Sequence, residues 1–127
     1  MTASLAIQDY NELDDTHCEA RIRAAKQALG SRLAILGHHY QRDEVFQHAD
    51  FSGDSLKLSR DAAQSDAEFI VLFGVHFMAE GADILSRPAQ AVNLPVVVGG
   101  CFLADMASPA NVARARREPG EGLPDPD

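Results

Sequence analysis

Three short apolar runs, each closed by glycine, constrain this chain more than any other feature. They are Leu33-Ala34-Ile35-Leu36 before Gly37, Phe69-Ile70-Val71-Leu72-Phe73 before Gly74, and Ala91 to Val98 before Gly99. Runs of this length without polar alternation suit strands buried on both faces of a parallel sheet. Pro95 interrupts the third run, so its strand is expected to cover only Ala91 to Leu94, with the valines entering a loop. Helical patterns fill the intervals. Thr16-x-x-Glu19 has the form of a capping box, and Ile22, Ala25, Ala28 and Leu29 recur at helical spacing until Gly30 supplies a C′ position. Asp43 to Asp50 has room for a short helix. Asp54 and Ser55 serve as N-cap residues of a longer one carrying Leu56, Ser59, Ala62 and Ala63 inward, and Phe77, Met78, Gly81, Ala82 and Leu85 mark the next. Cys101 to Ala107 reads as a further helix start. This alternation predicts an α/β fold: a small parallel sheet in a three-layer α/β/α sandwich with right-handed crossovers.

Residues 1–15 are expected to form a ragged N-terminus, 16–108 the α/β domain, and 109–127 a disordered tail rich in Arg and Pro. Lys and Arg number 11 against 19 Asp and Glu, a net charge of −8, which disfavours a phosphate-backbone binder, so no nucleic-acid partner is expected. No run of 18 apolar residues occurs, and acids stand where a signal peptide would carry basic and then apolar residues; the expectation is a cytoplasmic chain without a membrane partner. With 2 cysteines, Cys18 and Cys101, a secreted disulfide scaffold is disfavoured.

Ligands of open parallel sheets gather beyond the carboxyl ends of the strands, where loops converge and helix amides point inward. His38-His39-Tyr40, Gly74-Val75-His76 and Gly99-Gly100-Cys101 meet that condition. Together they would offer an imidazole, a phenol and a thiol, that is, a proton shuttle, a hydrogen-bond donor and a soft metal ligand. Cys101 follows two glycines at a predicted helix N-terminus, which favours thiolate, although a free cysteine is most often a small buried hydrophobe. Gly53-Asp54-Ser55-Leu56 matches the short signature of a class of serine esterases; Asp14-x-x-His17 precedes the serine, whereas that class places the pair near its C-terminus. A helix cap, or an anion-binding helix start, therefore suits Ser55 better than a nucleophile. A zinc site from His38, His39, His48 and His76 is disfavoured because adjacent residues of a strand face opposite ways.

Read in order, Ile35 to Gln41, Ala49 to Leu56, Phe73 to Glu80 and Gly100 to Met106 resemble successive motifs of the quinolinate synthase family, over roughly residues 20–107. The resemblance implies one of three similar α/β domains around a pseudo-threefold axis, each giving one cysteine to a central 4Fe-4S cluster. It implies condensation of iminoaspartate with dihydroxyacetone phosphate to quinolinate in NAD biosynthesis, with an iminoaspartate-supplying enzyme as a partner. By motif, Cys101 resembles the first domain's cluster ligand, His38 a substrate-binding residue, Tyr40 a residue of proton transfer and Ser55 the iminoaspartate-binding serine. His39 falls on a variable position. From Ala110 the sequence departs from the family's apolar strand and Tyr-x-Asn motif, so the expectation is an N-terminal piece, inactive alone and unable to hold a three-cysteine cluster with one ligand. A serine esterase using Ser55 and a noncatalytic interaction domain pairing through an unfinished sheet edge are the competing readings.

Overall fold

The computed structural model describes residues 8–117. A short helix α1 (Gln8–Asn11) precedes α2 (Asp15–Leu29) and a 3-10 turn (Gly30–Arg32). Then follow β1 (Leu33–His38), α3 (Asp43–Phe46), β2 (Phe51–Gly53), α4 (Ser55–Gln64), β3 (Phe69–Phe73), α5 (His76–Leu85), β4 (Ala91–Asn93), α6 (Phe102–Asp105) and α7 (Pro109–Arg117). The four strands form one sheet in the order β2-β1-β3-β4, and all three pairings are parallel. The predicted class therefore holds: a small parallel sheet flanked by helices.

The core lies where α4 and α5 pack on each other and on the sheet. Leu36, Leu58, Ala62, Ile70, Leu72, Met78 and Ala82 form it, and Leu36, Leu58 and Ile70 have no exposed surface. Leu36 pairs with Leu72 across the two central strands, so their side chains stack on one face beneath α4 and α5. The alternate residues of β3, Phe69, Val71 and Phe73, are half-buried, which leaves the opposite face less completely covered. Helix α2 has no buried residue; of its expected inward stripe, Ile22 and Leu29 are half-buried while Ala25 and Ala28 are exposed. Lys26 ties α2 to the segment before β2, its Nζ donating to His48 O at 2.7 Å and to Asp50 Oδ1 at 2.7 Å.

Several local expectations are corrected. The cap of α2 is Asp14, whose Oδ1 accepts from His17 N at 2.9 Å, so the helix begins before the expected Thr16 box. Gly30 does end α2, at φ +54°, a backbone conformation that favours glycine. Leu58, not Leu56, enters the core from α4; Leu56 is exposed. Asp54 caps α4 as expected, accepting from Lys57 N at 2.8 Å. Met78 and Ala82 are buried, whereas Phe77 and Leu85 are not. The third strand stops before Pro95, and its valines Val96, Val97 and Val98 are exposed. Strand β2, absent from the sequence reading, adds a fourth strand at the edge. Residues 109–117, expected to lack regular structure, form α7, all of whose side chains are exposed; residues 118–127 of the expected tail and 1–7 of the ragged N-terminus lie outside the described residues.

Gly37 sits where the sheet meets the α3 turn, and a Cβ there would stand 2.8 Å from the Ala49 Cβ. Two predictions follow from this packing. Leu58→Ala should cost about 2–5 kcal/mol of unfolding free energy, the range for emptying a buried leucine site. Gly37→Ala should cost about 1–3 kcal/mol by overpacking. Urea unfolding followed by circular dichroism measures both.

Candidate functional site at the carboxyl rim

Because every strand runs the same way, all four deliver their carboxyl ends to one rim of the sheet. His38 ends β1 and is paired in register with Gly53 of β2, two residues before Ser55. The chain turns at once beyond His38, with Gln41 N donating to His38 O at 3.0 Å. That turn gathers three rings: His38 and Tyr40 centroids lie 4.7 Å apart, and His38 and His39 centroids 4.7 Å apart. The expectation that His38 and His39 face opposite ways fails because the strand ends at His38. Even so, no group of three or more His, Cys, Asp or Glu able to hold a metal ion occurs among the described residues. His48 is buried and lines a cleft bordered by α2 and the α3 turn. Tyr40 is 89% exposed, so its phenol projects into open space.

Ser55 is the first residue of α4 and half-buried. Its carbonyl accepts from Ser59 Oγ at 3.0 Å, and Asp54 caps the amide of Lys57. The hydroxyl thus stands at the positive end of a ten-residue helix, a setting suited to a carboxylate or phosphate. Among the described residues no hydrogen bond joins Ser55 to a histidine; the Asp14–His17 pair, 2.8 Å apart, belongs to the start of α2. That leaves the esterase reading without a base at its serine.

On the other side of β1, the loop after β3 is clipped to the loop after β4, His76 N donating to Gly99 O at 3.1 Å. Two residues on, Cys101 is half-buried at the cap of α6 and free of any disulfide. Val96, Val97, Val98, Phe102, Leu103 and Met106 around it are all exposed. The imidazole of His76 lies 3.6 Å from Glu80 one turn along α5. The sequence-predicted residues therefore divide into a tight group, His38, Tyr40 and the Gly53–Ser55 bend, and a thiol carried on the neighbouring loop. A cleft of about 730 Å3, between α2, the α3 turn and the loops after β3 and β4, is walled by Gly74, Val75 and Gly99 of two predicted rim loops together with Cys18, Ile22 and His48, but not by His38, Tyr40, Ser55 or Cys101. What sequence reasoning missed is β2, whose register brings Ser55 to His38; three residues with little burial leave no periodic signal.

Burial holds the His38 imidazole below the ordinary histidine range; the neighbouring His39 acts in the same direction, and Asp54 acts against them. The proton is thus bound more weakly in the folded chain than in the unfolded one. Stability should consequently rise with pH through the window from the depressed value up to about 6.5, the ordinary imidazole value, and be lost as pH falls through it. Asp54→Asn should depress the His38 value further, and His38→Gln should remove this component of the pH dependence. NMR titration of the ring and urea unfolding across pH measure the two.

The family model for quinolinate synthetase A protein matches residues 20–126. It extends beyond Ala110, where the sequence reading ends the resemblance. Curated relatives named quinolinate synthase include one from Nocardioides sp., 62% identical over 108 residues, which cover 84% of this chain and 27% of that protein. One from Herpetosiphon aurantiacus is 58% identical over 100 residues, 79% of this chain and 27% of that protein. One from Geobacillus thermodenitrificans is 54% identical over 109 residues, 85% of this chain and 30% of that protein. The chain thus spans between 27% and 30% of the length of these relatives. Among the described residues no helix is long and apolar enough to cross a membrane.

Proposed function

Because the chain belongs to the quinolinate synthetase A family, we propose that it forms the first cysteine-bearing α/β domain of a quinolinate synthase, condensing iminoaspartate with dihydroxyacetone phosphate to quinolinate. Within that reading it works in the cytoplasm alongside an enzyme that supplies iminoaspartate. The observation that carries the reading is the rim itself. The motifs through which the sequence resembles the family, dispersed over roughly 70 residues, meet beyond the carboxyl ends of parallel strands, where α/β sheets bind their ligands.

The residues fit a 4Fe-4S cluster as a contributor and not as a complete site. Such clusters are held by cysteine thiolates, and Cys101 offers one partly exposed thiol at the rim. The other cysteine, Cys18, lies on α2 and lines the cleft there, so in this reading the further ligands come from other domains. When bound, the cluster would offer an open iron as a Lewis acid for substrate carboxylate and hydroxyl oxygens.

The chain's own residues divide the remaining work by their chemistry. The Ser55 hydroxyl and the first amides of α4 bind a carboxylate of iminoaspartate, with the helix dipole favouring the negative charge. His38, kept neutral near pH 7, both donates and accepts hydrogen bonds and so orients the substrate without adding a cation. Tyr40, on its exposed turn, carries a proton to or from the reacting carbon skeleton during dehydration.

The test is a chimera in which residues 20–107 replace the matching segment of the Nocardioides relative, assayed for quinolinate under anaerobic conditions. The chimera should be active. Cys101→Ser should abolish the cluster's absorbance and the activity together. Tyr40→Phe should lower kcat by about 10²–10⁴-fold with little change in KM, and Ser55→Ala should act mainly on KM for iminoaspartate. An active Cys101→Ser chimera would overturn the reading. The 127-residue polypeptide by itself should show neither a stoichiometric cluster after reconstitution nor quinolinate formation.

A further inference from the structure

Strand β2 is held at its edge by very little apolar burial, since Phe51 and Ser52 are exposed and Gly53 is half-buried. Its position nonetheless decides where Ser55 stands relative to His38. Three polar contacts of one residue fix that position. Asp50 N donates to Ile35 O at 2.7 Å, Ile35 N donates to Asp50 Oδ2 at 2.9 Å, and Lys26 Nζ donates to Asp50 Oδ1 at 2.7 Å. Lys26 also reaches His48 O, so one ammonium pins both sides of the bend that leads into β2.

In a regular parallel ladder, a residue whose N–H and C=O point to one neighbour finds a strand amide and a strand carbonyl there. Here the carboxylate of Asp50, at the bend that leads into β2, stands in for that carbonyl. Ile35 is 4% exposed, and leaving its N–H without an acceptor in such a place is costly. One register follows: Leu36 beside Phe51, Gly37 beside Ser52, His38 beside Gly53. A slip of one residue would move Ser55 by about 3.3 Å along the strand axis, away from its level beside His38, and turn each β2 side chain to the other face.

We propose that Asp50 is a positioning residue of the rim: its carboxylate, bonded to the Ile35 amide and the Lys26 ammonium, locks the β1–β2 register that sets the start of α4 beside His38. The inference rests on the reading of His38 and Ser55 as substrate-contacting residues for its meaning, but its geometry stands on the chain alone. Asp50 touches no reacting group and acts through β2. The pairing with Lys26 matters less than the bond to Ile35, because both side chains are partly exposed and ion pairs of that kind contribute modestly.

Amide hydrogen exchange and histidine ring spectra of the 127-residue chain test this without turnover, so a failure here is distinct from a failure of the quinolinate assay. Asp50→Ala should speed exchange at Ile35 and Gly53 by about tenfold or more and shift the His38 ring resonances, while Ile70 and Leu72 in β3 keep their protection. Asp50→Asn keeps an acceptor for Ile35 and should restore both readouts to within about threefold of the parent. Uniformly faster exchange in every strand, or unchanged His38 and Gly53 signals in Asp50→Ala, would overturn the proposal. Should Asp50→Ala not fold, Asp50→Asn and Asp50→Glu decide it. A selective change at Ile35, Gly53 and His38 in the longer Glu alone supports the lock, and identical behaviour of the two overturns it.

Discussion

Parallel pairing is the constraint on which everything else depends. Three strand pairs without an antiparallel neighbour leave every connection to cross over through a helix, and every strand to end at the same rim. The neighbouring strands β1 and β3 then bring their polar exits, His38-His39-Tyr40 and His76, to the same rim. Helices begin at that rim, so α4 presents free amides there with Ser55 as its first residue. The chemistry is thus assembled from loops, while the aliphatic core beneath holds the loops in place.

That core is one-sided. Leu36, Ile70 and Leu72 are closed over by Leu58, Ala62, Met78 and Ala82, whereas α2 buries none of its residues and the chain around Cys101 exposes a run of valines together with Phe102, Leu103 and Met106. Clusters of exposed apolar side chains on a protein surface often mark an interaction site. In the proposed reading this is where the other cysteine-bearing domains would meet the first. Cys101 stands in sequence among these residues, on a loop fixed to the start of α5 by the His76–Gly99 hydrogen bond.

The central strands were legible because burial on both faces writes them as continuous apolar runs, and Pro95 announced where the third would stop. Gly30 and Asp54 were legible because a positive φ and a helix cap each demand a small set of residues. Strand β2 was not: Phe51-Ser52-Gly53 is an edge held by Asp50 and the ladder, and an edge without burial has no hydrophobic pattern to read. The inward face of α4 was misplaced because Leu56 and Leu58 both suit a helix, and only the packing against β1 selects Leu58. The cap at Asp14 displaced Thr16 because a carboxylate two residues earlier reaches the His17 amide first. Of the candidate site, the motifs pointed to the residues and the sheet rule to the rim, but the pairing of His38 with Gly53, two residues before Ser55, came only with the register.

The most direct test of the account is a distance measured across the rim. A nitroxide attached to Cys101 in the Cys18→Ser chain should broaden the ring resonances of His38 and Tyr40 while leaving the amides of Leu33 and Glu68, at the amino ends of β1 and β3, sharp. Broadening of Leu33 and Glu68 with sharp His38 and Tyr40 signals would place the thiol at the opposite rim and contradict the assembly of one site from these loops.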